Sequence, residues 1–481
     1  MDYAILLGDF ERQQEVSGWP RQRVIHACLR NAILSGRLGA GTRLLSSREL
    51  AAELGAARNT VLYAYDQLSA EGLMEATRRG SVVARLGAPG GKPDAAPAAQ
   101  AALSRRTAAL RSLPPAGVLA TAFAPGVPAL DEFPLQLWRR LIDRAWRHIV
   151  PAQLDYADAA GQPALRHALA EYLCASRGLR CDAGQVIVTT STQASLELCA
   201  RALADAGQTA WIENPGYSGA LAAFRAAQLR TVGIAVDEEG LAPTVRDWKR
   251  APPRLIYTSP SHQYPCGGVL GLPRRIALLA RAREAGALII EDDYDSEFRH
   301  DGPPLPAMQG LEPDAPVIYL GTFSKSMFPG MRTAFMVVPA NLAAPLRATL
   351  ARMPHHGRVA EQEALAVFIR EGHFMMHLRR MRHLYRERRD ALLEAIEREL
   401  GDLCTVHGAS TGMHLALQFT DPSWNDAEIS ARALARGISA AALSTHVSGL
   451  RSQHWNGLVL GYSQVPADTV RASLQTLAAA F

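Results

Sequence analysis

Among 481 residues there are only three lysines against 48 arginines, so few side chains can act as a nucleophilic amine. Arginine cannot serve, because it stays charged at any ordinary pH. Lys92 sits in a Gly/Pro/Ala-rich stretch and Lys249 in the charged segment Arg246-Asp-Trp-Lys-Arg250. Lys325 is different: it lies in Gly321-Thr-Phe-Ser-Lys-Ser-Met-Phe-Pro-Gly-Met-Arg332, a Ser/Thr-rich turn after the apolar run Val317-Ile-Tyr-Leu-Gly321. The preceding apolar run, Ala287-Leu-Ile-Ile290, leads into Glu291-Asp-Asp-Tyr-Asp-Ser-Glu-Phe298. A lysine after one strand and an Asp-x-Tyr after the strand before it meet the needs of pyridoxal phosphate (PLP). The amine condenses with the aldehyde, and a carboxylate keeps the pyridinium nitrogen protonated so that the ring draws electrons.

The elements that must position these residues are legible as strand-length apolar runs. Gln185–Thr190, Thr209–Glu213, Thr231–Val236, Arg254–Thr258, Ala287–Glu291, Val317–Gly321 and Thr333–Val338 make seven, most of them separated by helical patterns. That alternation predicts a C-terminal α/β body with a seven-stranded, mainly parallel sheet covered on both faces. Ligands of such sheets collect beyond the carboxyl ends of the strands, where Lys325 and Asp292 fall. Beyond Pro339 the pattern turns helical, with a long amphipathic stretch over about 373–400. The β-like segments Gly412–Gln418 and Gly457–Gly461 follow, which predicts a small α+β subdomain from about residue 340.

The first quarter of the chain has a different character. Residues 1–85 carry 11 Arg and 9 acids, residues 86–117 four basic groups and one acid, and the rest is balanced, so the net +5 lies entirely in the first 117 residues. A basic module on a neutral body points to an anionic partner at the N-terminus. Residues 20–36 predict a helix. Arg43-Leu-Leu-Ser-Ser-Arg-Glu-Leu-Ala-Ala-Glu-Leu-Gly55 predicts a second, capped by Ser46 or Ser47 and stopped by Gly55, and residues 56–71 a third. The last two form a helix-turn-helix, with Arg58, Asn59 and Thr60 opening the helix placed for the major groove. Arg reads guanine, Asn reads adenine, and Thr touches phosphate or a thymine methyl. Gly72–Ala84 predicts a two-stranded wing with Arg78, Arg79 and Gly80 at its tip. The expected division is a winged helix-turn-helix over 1–85, a flexible linker over 86–117 and the PLP-binding body over 118–481.

The order of these motifs carries a family resemblance. The N-terminal module resembles the GntR-type winged helix, in which Leu-Pro-Ser-Ser-Arg precedes the recognition helix; here Leu45 replaces the proline. From about Thr121 onward the chain is similar to fold-type I PLP enzymes, the aspartate aminotransferase superfamily. As a whole it resembles the MocR subfamily of GntR regulators, through Glu213-Asn-Pro-Gly-Tyr217, Ser259-Pro-Ser-His-Gln-Tyr-Pro265, Glu291-Asp-Asp-Tyr-Asp295 and Gly321-Thr-Phe-Ser-Lys325. The resemblance implies that Lys325 forms the Schiff base, Asp292 faces the pyridinium nitrogen and Tyr294 donates to the phenolic oxygen. It implies that Tyr217 stacks on the ring, with a core or turn aromatic as the alternative. Ser191, Thr192 and Gln193, opening a helix, with Thr322, Ser324 and Arg332, would hold the phosphate; family members usually carry glycine where Ser191 stands. His262 and Gln263 lie in the loop beside the ring, contact with it left open. Arg43, Ser47, Arg48, Arg58, Asn59, Thr60, Arg79 and Gly80 would face operator DNA. One departure stands out: where aminotransferases carry a C-terminal arginine for the substrate α-carboxylate, this chain has Val459, and Arg451 lies upstream as a substitute.

The expected function is a PLP-dependent transcription regulator that binds double-stranded operator DNA and senses a small amino compound or PLP through Lys325, most simply as a homodimer. The alternatives are a working aminotransferase with a fused DNA-binding module, and a body that has lost PLP and only dimerises. Six scattered cysteines without a C-x-x-C pair suggest reduced thiols and no metal site. No secretory leader is legible and no apolar run has membrane-span length, so the expected location is cytoplasmic, without membrane association.

Overall fold

The computed structural model describes residues 2–77, 80–85, 104, 107, 121–156, 158–302, 305–353, 358–448 and 455–481. Contacts divide the chain into two units, Met1–Ala102 and Leu103–Phe481. Apart from residues 104 and 107, the linker expected at 86–117 lies outside the described residues, as do Arg78, Arg79 and Arg451.

In the first unit, α1 (Tyr3–Gln13), α2 (Arg21–Leu34), α3 (Ser47–Glu53) and α4 (Arg58–Ala70) precede the antiparallel pair β1 (Met74–Thr77) and β2 (Gly80–Val83). Ser46, not Ser47, caps α3. Its hydroxyl accepts from Glu49 N at 3.3 Å while the Glu49 carboxylate accepts from Ser46 N at 2.9 Å, a reciprocal box that satisfies two orphan amides. Gly55 turns the chain into α4 with φ +57, a conformation open to glycine at no steric cost. Leu50, Val61, Ala64 and Leu68 from α3 and α4 close on Ile25, Cys28 and Leu29 of α2. Helix α1 lies ahead of the three helices expected from the sequence. Asp2 caps it by accepting from Ile5 N, Tyr3 N donates to Glu53 Oε1 at 2.6 Å, and Leu6 and Leu7 join the core. Its signal was there, an N-cap aspartate before Tyr3, Leu6, Leu7 and Phe10 at helical spacing.

The body contains all seven expected strands and one more. β3 (Val186–Thr189), β4 (Thr209–Asn214), β5 (Arg230–Asp237), β6 (Gly240–Leu241), β7 (Leu255–Thr258), β8 (Leu288–Asp293), β9 (Val317–Thr322) and β10 (Ala334–Val337) form one sheet in the order 3-10-9-8-7-4-5-6. Neighbours are parallel except β10, antiparallel to both β3 and β9, and the short β6, which folds back on β5. Continuous runs such as Val186-Ile-Val-Thr189 are buried at every position because helices cover both faces. The small subdomain carries an antiparallel sheet of β11 (Cys404–His407), β12 (His414–Phe419), β14 (Gly457–Gly461) and β13 (Ala441–Ala442) in that order, where two strands were expected. The body's first described residues join it: Gly461 N donates to Phe123 O and Ser439 N to Ala122 O. All six cysteines are free thiols. No helix among the described residues is long and apolar enough to cross a membrane.

Candidate functional site

Thr322 ends β9 and caps the one-turn helix Phe323–Ser326, its hydroxyl accepting from Ser324 N at 3.2 Å. That turn aims Lys325 at the chain segment entering the body, where Nζ donates to Gly126 O at 2.8 Å. Burial pushes the amine below its ordinary range, against the pull of the Asp295 and Asp292 charges. Gly126 has φ +74, and a Cβ there would stand 2.5 Å from Lys325 Nζ. Gly126→Ala should therefore displace the amine and add about 1–2 kcal/mol of backbone strain. The expected outcome is a lower PLP occupancy at unchanged helix content, read by absorbance and circular dichroism.

β8 supplies the carboxylates, and strand alternation sorts them. Glu291 accepts from Met308 N and Gln309 N, and Asp293 accepts from Arg177 Nε at 2.8 Å and Tyr319 Oη at 2.7 Å. Asp292, between them, points the other way. Its Oδ2 accepts from Tyr257 Oη at 2.7 Å, and its Oδ1 is buried with no partner. Burial raises the Asp292 carboxyl to about 7, opposed by the Tyr257 hydrogen bond and reinforced by Asp293. Because this lies above its ordinary 3.8, folded Asp292 keeps a proton that the unfolded chain has released. Its contribution to the stability of the unliganded protein therefore falls as pH rises from about 4 to about 7 and is level above that. Relative to Asp292→Asn, the wild-type denaturation midpoint should drop across this window; a constant difference would refute the assignment.

Tyr294 places its hydroxyl on His262, donating to the backbone oxygen at 2.9 Å and lying 3.2 Å from Nδ1. His262 Nδ1 also meets Asp295 Oδ2 at 2.9 Å, and the His414 ring stands 4.4 Å from the His262 ring. Burial holds both imidazoles down at about 3 and raises the Asp295 carboxyl to about 7. Gln263, the neighbour of His262, turns away: its Nε2 donates to Pro215 O at 2.9 Å, Tyr264 O at 2.7 Å and Glu213 Oε2 at 3.2 Å. Asp295, His414, Tyr264 and His446 were given no role from sequence. A histidine inside the apolar run Gly412-Met-His-Leu-Ala-Leu was the one available signal.

The expected phosphate residues fall at two turns. Ser191 caps the helix Thr192–Leu203 with its hydroxyl accepting from Ala194 N at 3.1 Å, and Thr192 and Gln193 stand partly exposed at that helix N-terminus. Ser324 is partly exposed after β9, and Arg332 is exposed in the left-handed region with φ +49. Tyr217 follows β4, its ring 6.4 Å from Tyr257, the residue that holds Asp292. Val459 lies in β14 between Ala416 and Ala441, packed with Cys266, Leu443 and Trp455.

In the first unit, Arg43, Arg48, Arg58, Asn59 and Gly80 are exposed, and Ser47 and Thr60 partly so. Arg58 Nε reaches Ser47 Oγ at 3.5 Å, joining the starts of α3 and α4, and Arg43 lies against Gly80 of the wing. Tyr65 Oη donates to Leu45 O at 2.7 Å, which fixes the chain entering α3.

A partly buried amine with a lowered pKa, a carboxylate with one free buried oxygen and a helix N-terminus at the same end of the sheet fit PLP. They define a PLP-dependent body of the fold-type I, aminotransferase-like class. Comparison with known proteins agrees: residues 130–446 match the aminotransferase class I and II family, and residues 21–83 match the gntR family of bacterial regulatory proteins. The chain is 38% identical over 472 residues to the Rhizobium meliloti protein named probable rhizopine catabolism regulatory protein MocR, covering 96% of this chain and 94% of that one. It is 33% identical to the pyridoxine biosynthesis transcriptional regulator PdxR of Corynebacterium glutamicum, covering 92% of each. Among solved structures, LysN, the α-aminoadipate aminotransferase of Thermus thermophilus complexed with N-(5'-phosphopyridoxyl)-L-leucine, matches with a TM-score of 0.68. It is 28% identical and covers 75% of this chain and 91% of that one. The chain belongs to the MocR-type branch of the GntR family, PLP-dependent transcription regulators with an aminotransferase-like domain.

Proposed function

We propose that this regulator binds an operator through residues 1–85 and senses a small amine at Lys325, through the PLP that the lysine holds covalently. The observation that carries this reading is the Lys325–Asp292 pair: an amine shifted toward its neutral, nucleophilic form, and a buried carboxylate oxygen with no partner. PLP supplies an aldehyde carbon that exchanges one amine for another. Lys325 is the resident amine; Asp292 Oδ1, unpartnered, would accept from the protonated ring nitrogen, and the Tyr257 hydrogen bond keeps that carboxylate aimed. Tyr217, beside Tyr257, would cover one face of the ring. The amides and hydroxyls at Ser191, Thr192 and Gln193, with Thr322, Ser324 and Arg332, hold the phosphate. Tyr294 and His262, bonded to each other, would stand at the ring's edge.

The site draws on both subdomains, which gives an arriving amine a way to act on the fold. Asp295 Oδ2 accepts from Met413 N at 3.1 Å, and Arg299 bridges Thr411, so residues beside Lys325 are bonded to the chain entering β12. An amine taking the place of Lys325 would change the charge facing Asp295 and, through the Met413 hydrogen bond, bias the small sheet. The resulting shift in DNA affinity can be no larger than the amine's differential affinity for the two states. A homodimer in the cytoplasm is the form that fits. Leu135, Trp146, Val150, Leu154 and Tyr156 are large apolar or aromatic side chains exposed within one 22-residue stretch, a surface suited to a second copy.

The reading is tested by operator binding with and without PLP at fixed salt. Arg58→Ala should weaken binding about tenfold, and if Arg58 contacts phosphate the dependence on log salt should flatten by about one unit. Unchanged affinity in Arg48→Ala, Arg58→Ala and Arg43→Ala alike would remove the DNA assignment. Sustained transfer of amino groups to a 2-oxo acid, with no operator binding, would move the protein to the enzyme reading.

A further inference from the structure

The chemical class of the sensed amine is legible in the rings around Tyr264, among them His414, which senses the Lys325 charge; the inference rests on the reading above. Four rings pack around Tyr264: His414 stands 5.2 Å away, His446 5.1 Å, Tyr217 6.1 Å and Tyr294 6.3 Å. His446 is fixed there because its backbone oxygen accepts from Gly216 N at 3.0 Å, next to Tyr217. Nε2 of His414 and both ring nitrogens of His446 are buried without a hydrogen-bond partner. Buried polar atoms left in this state are costly, and polar groups of a ligand would relieve that cost.

Those atoms do not suit a carboxylate. Burial holds His414 at about 3 and His446 at about 4, so both are neutral at neutral pH and lack the positive charge that a carboxylate would pair with. Asp292 and Asp295, whose charges act on Lys325, repel a second anion on that side. At the position where an arginine would meet a carboxylate, Val459 is buried in a cluster with Cys266, Ala416, Leu443 and Trp455, which leaves no room for a charged group. A hydroxyl both donates and accepts, as a neutral imidazole does.

We propose that the sensed ligand is a small primary amine that carries no carboxylate, bearing hydroxyl groups that bond to the imidazoles of His414 and His446. The amino group replaces that of Lys325, and the hydroxyls satisfy nitrogens that are otherwise unpartnered.

The test uses the full-length, PLP-loaded protein and matched probes: 2-amino-1,3-propanediol against serine, and 3-amino-1,2-propanediol against 3-amino-2-hydroxypropanoate. Each is titrated into the absorbance band of the bound PLP. The aminodiol of each pair should half-saturate at a concentration at least about tenfold below its carboxylate match. His446→Phe and His414→Phe should each raise that concentration about tenfold for the aminodiols and leave propylamine unchanged. Equal half-saturation, an amino acid that saturates first, or aminodiol titrations unmoved by both substitutions would overturn the ligand class. A PLP band that borohydride does not fix to Lys325 would instead sink the sensing reading, and the ligand class with it.

Discussion

Lys325→Ala is expected to give a folded protein that still binds its operator but no longer answers to any amine. The side chain makes one polar contact, to Gly126 O, so its removal costs little structure. What goes is the covalent attachment of PLP, and with it affinity for the cofactor, by about 100-fold or more. Lys325→Arg separates charge from nucleophilicity, because the guanidinium keeps the charge that faces Asp295 and Asp292 but cannot condense with an aldehyde. Both variants should lose the borohydride-fixed adduct and the amine-dependent change in operator affinity. If an amine still shifts operator binding by Lys325→Ala, sensing takes place elsewhere.

Arg177→Met is expected to have the largest effect on stability. Arg177 ends the helix Pro163–Arg177 and bonds Asp293 Oδ2 through Nε at 2.8 Å and Nη2 at 2.7 Å, with Nη2 also 3.1 Å from Ser261 Oγ. Both side chains are almost wholly buried. Removing one partner strands the other's charge in the interior, which costs about 3–5 kcal/mol, a large part of the stability of a domain. Asp293 adjoins Asp292 on β8, so PLP binding should weaken as well. Arg177→Met with Asp293→Leu should recover much of the loss, since replacing a whole buried pair by apolar groups is often neutral. Denaturant midpoints at constant slope provide the measurement. A loss below about 1 kcal/mol in the single variant would mean that water or another cation already compensates Asp293.

The elements that the sequence disclosed most fully are those whose signal is local. β3, β7 and β9 read as unbroken apolar runs because both faces of the sheet are covered. β6 has two residues and exists only because the chain turns back on β5 at Gly240, so it leaves no run to find. Ser46 and Ser47 were indistinguishable as caps until the Glu49 carboxylate closed the box on Ser46. His262 and Gln263 are adjacent in sequence and looked equally near the ring. Packing divides them, one against Asp295 and the other into the bonds that hold Glu213 and the loop after β4.

By itself the sequence determined that this chain has one suitable amine, a carboxylate one strand away, a sheet to carry both and a basic helix-turn-helix ahead of them. Each of these rests on residue type and on a periodicity that spans a few residues. Tertiary structure alone decided that Asp293 is neutralised by Arg177 while Asp292, bonded only to Tyr257, keeps a buried oxygen with no partner and no paired cation. It also decided that Asp295 meets histidines from two distant segments, that His414 and His446 are neutral, and that Val459 closes the place of an arginine. Burial and partnership fix these properties, and both depend on side chains that reach the site from far along the chain.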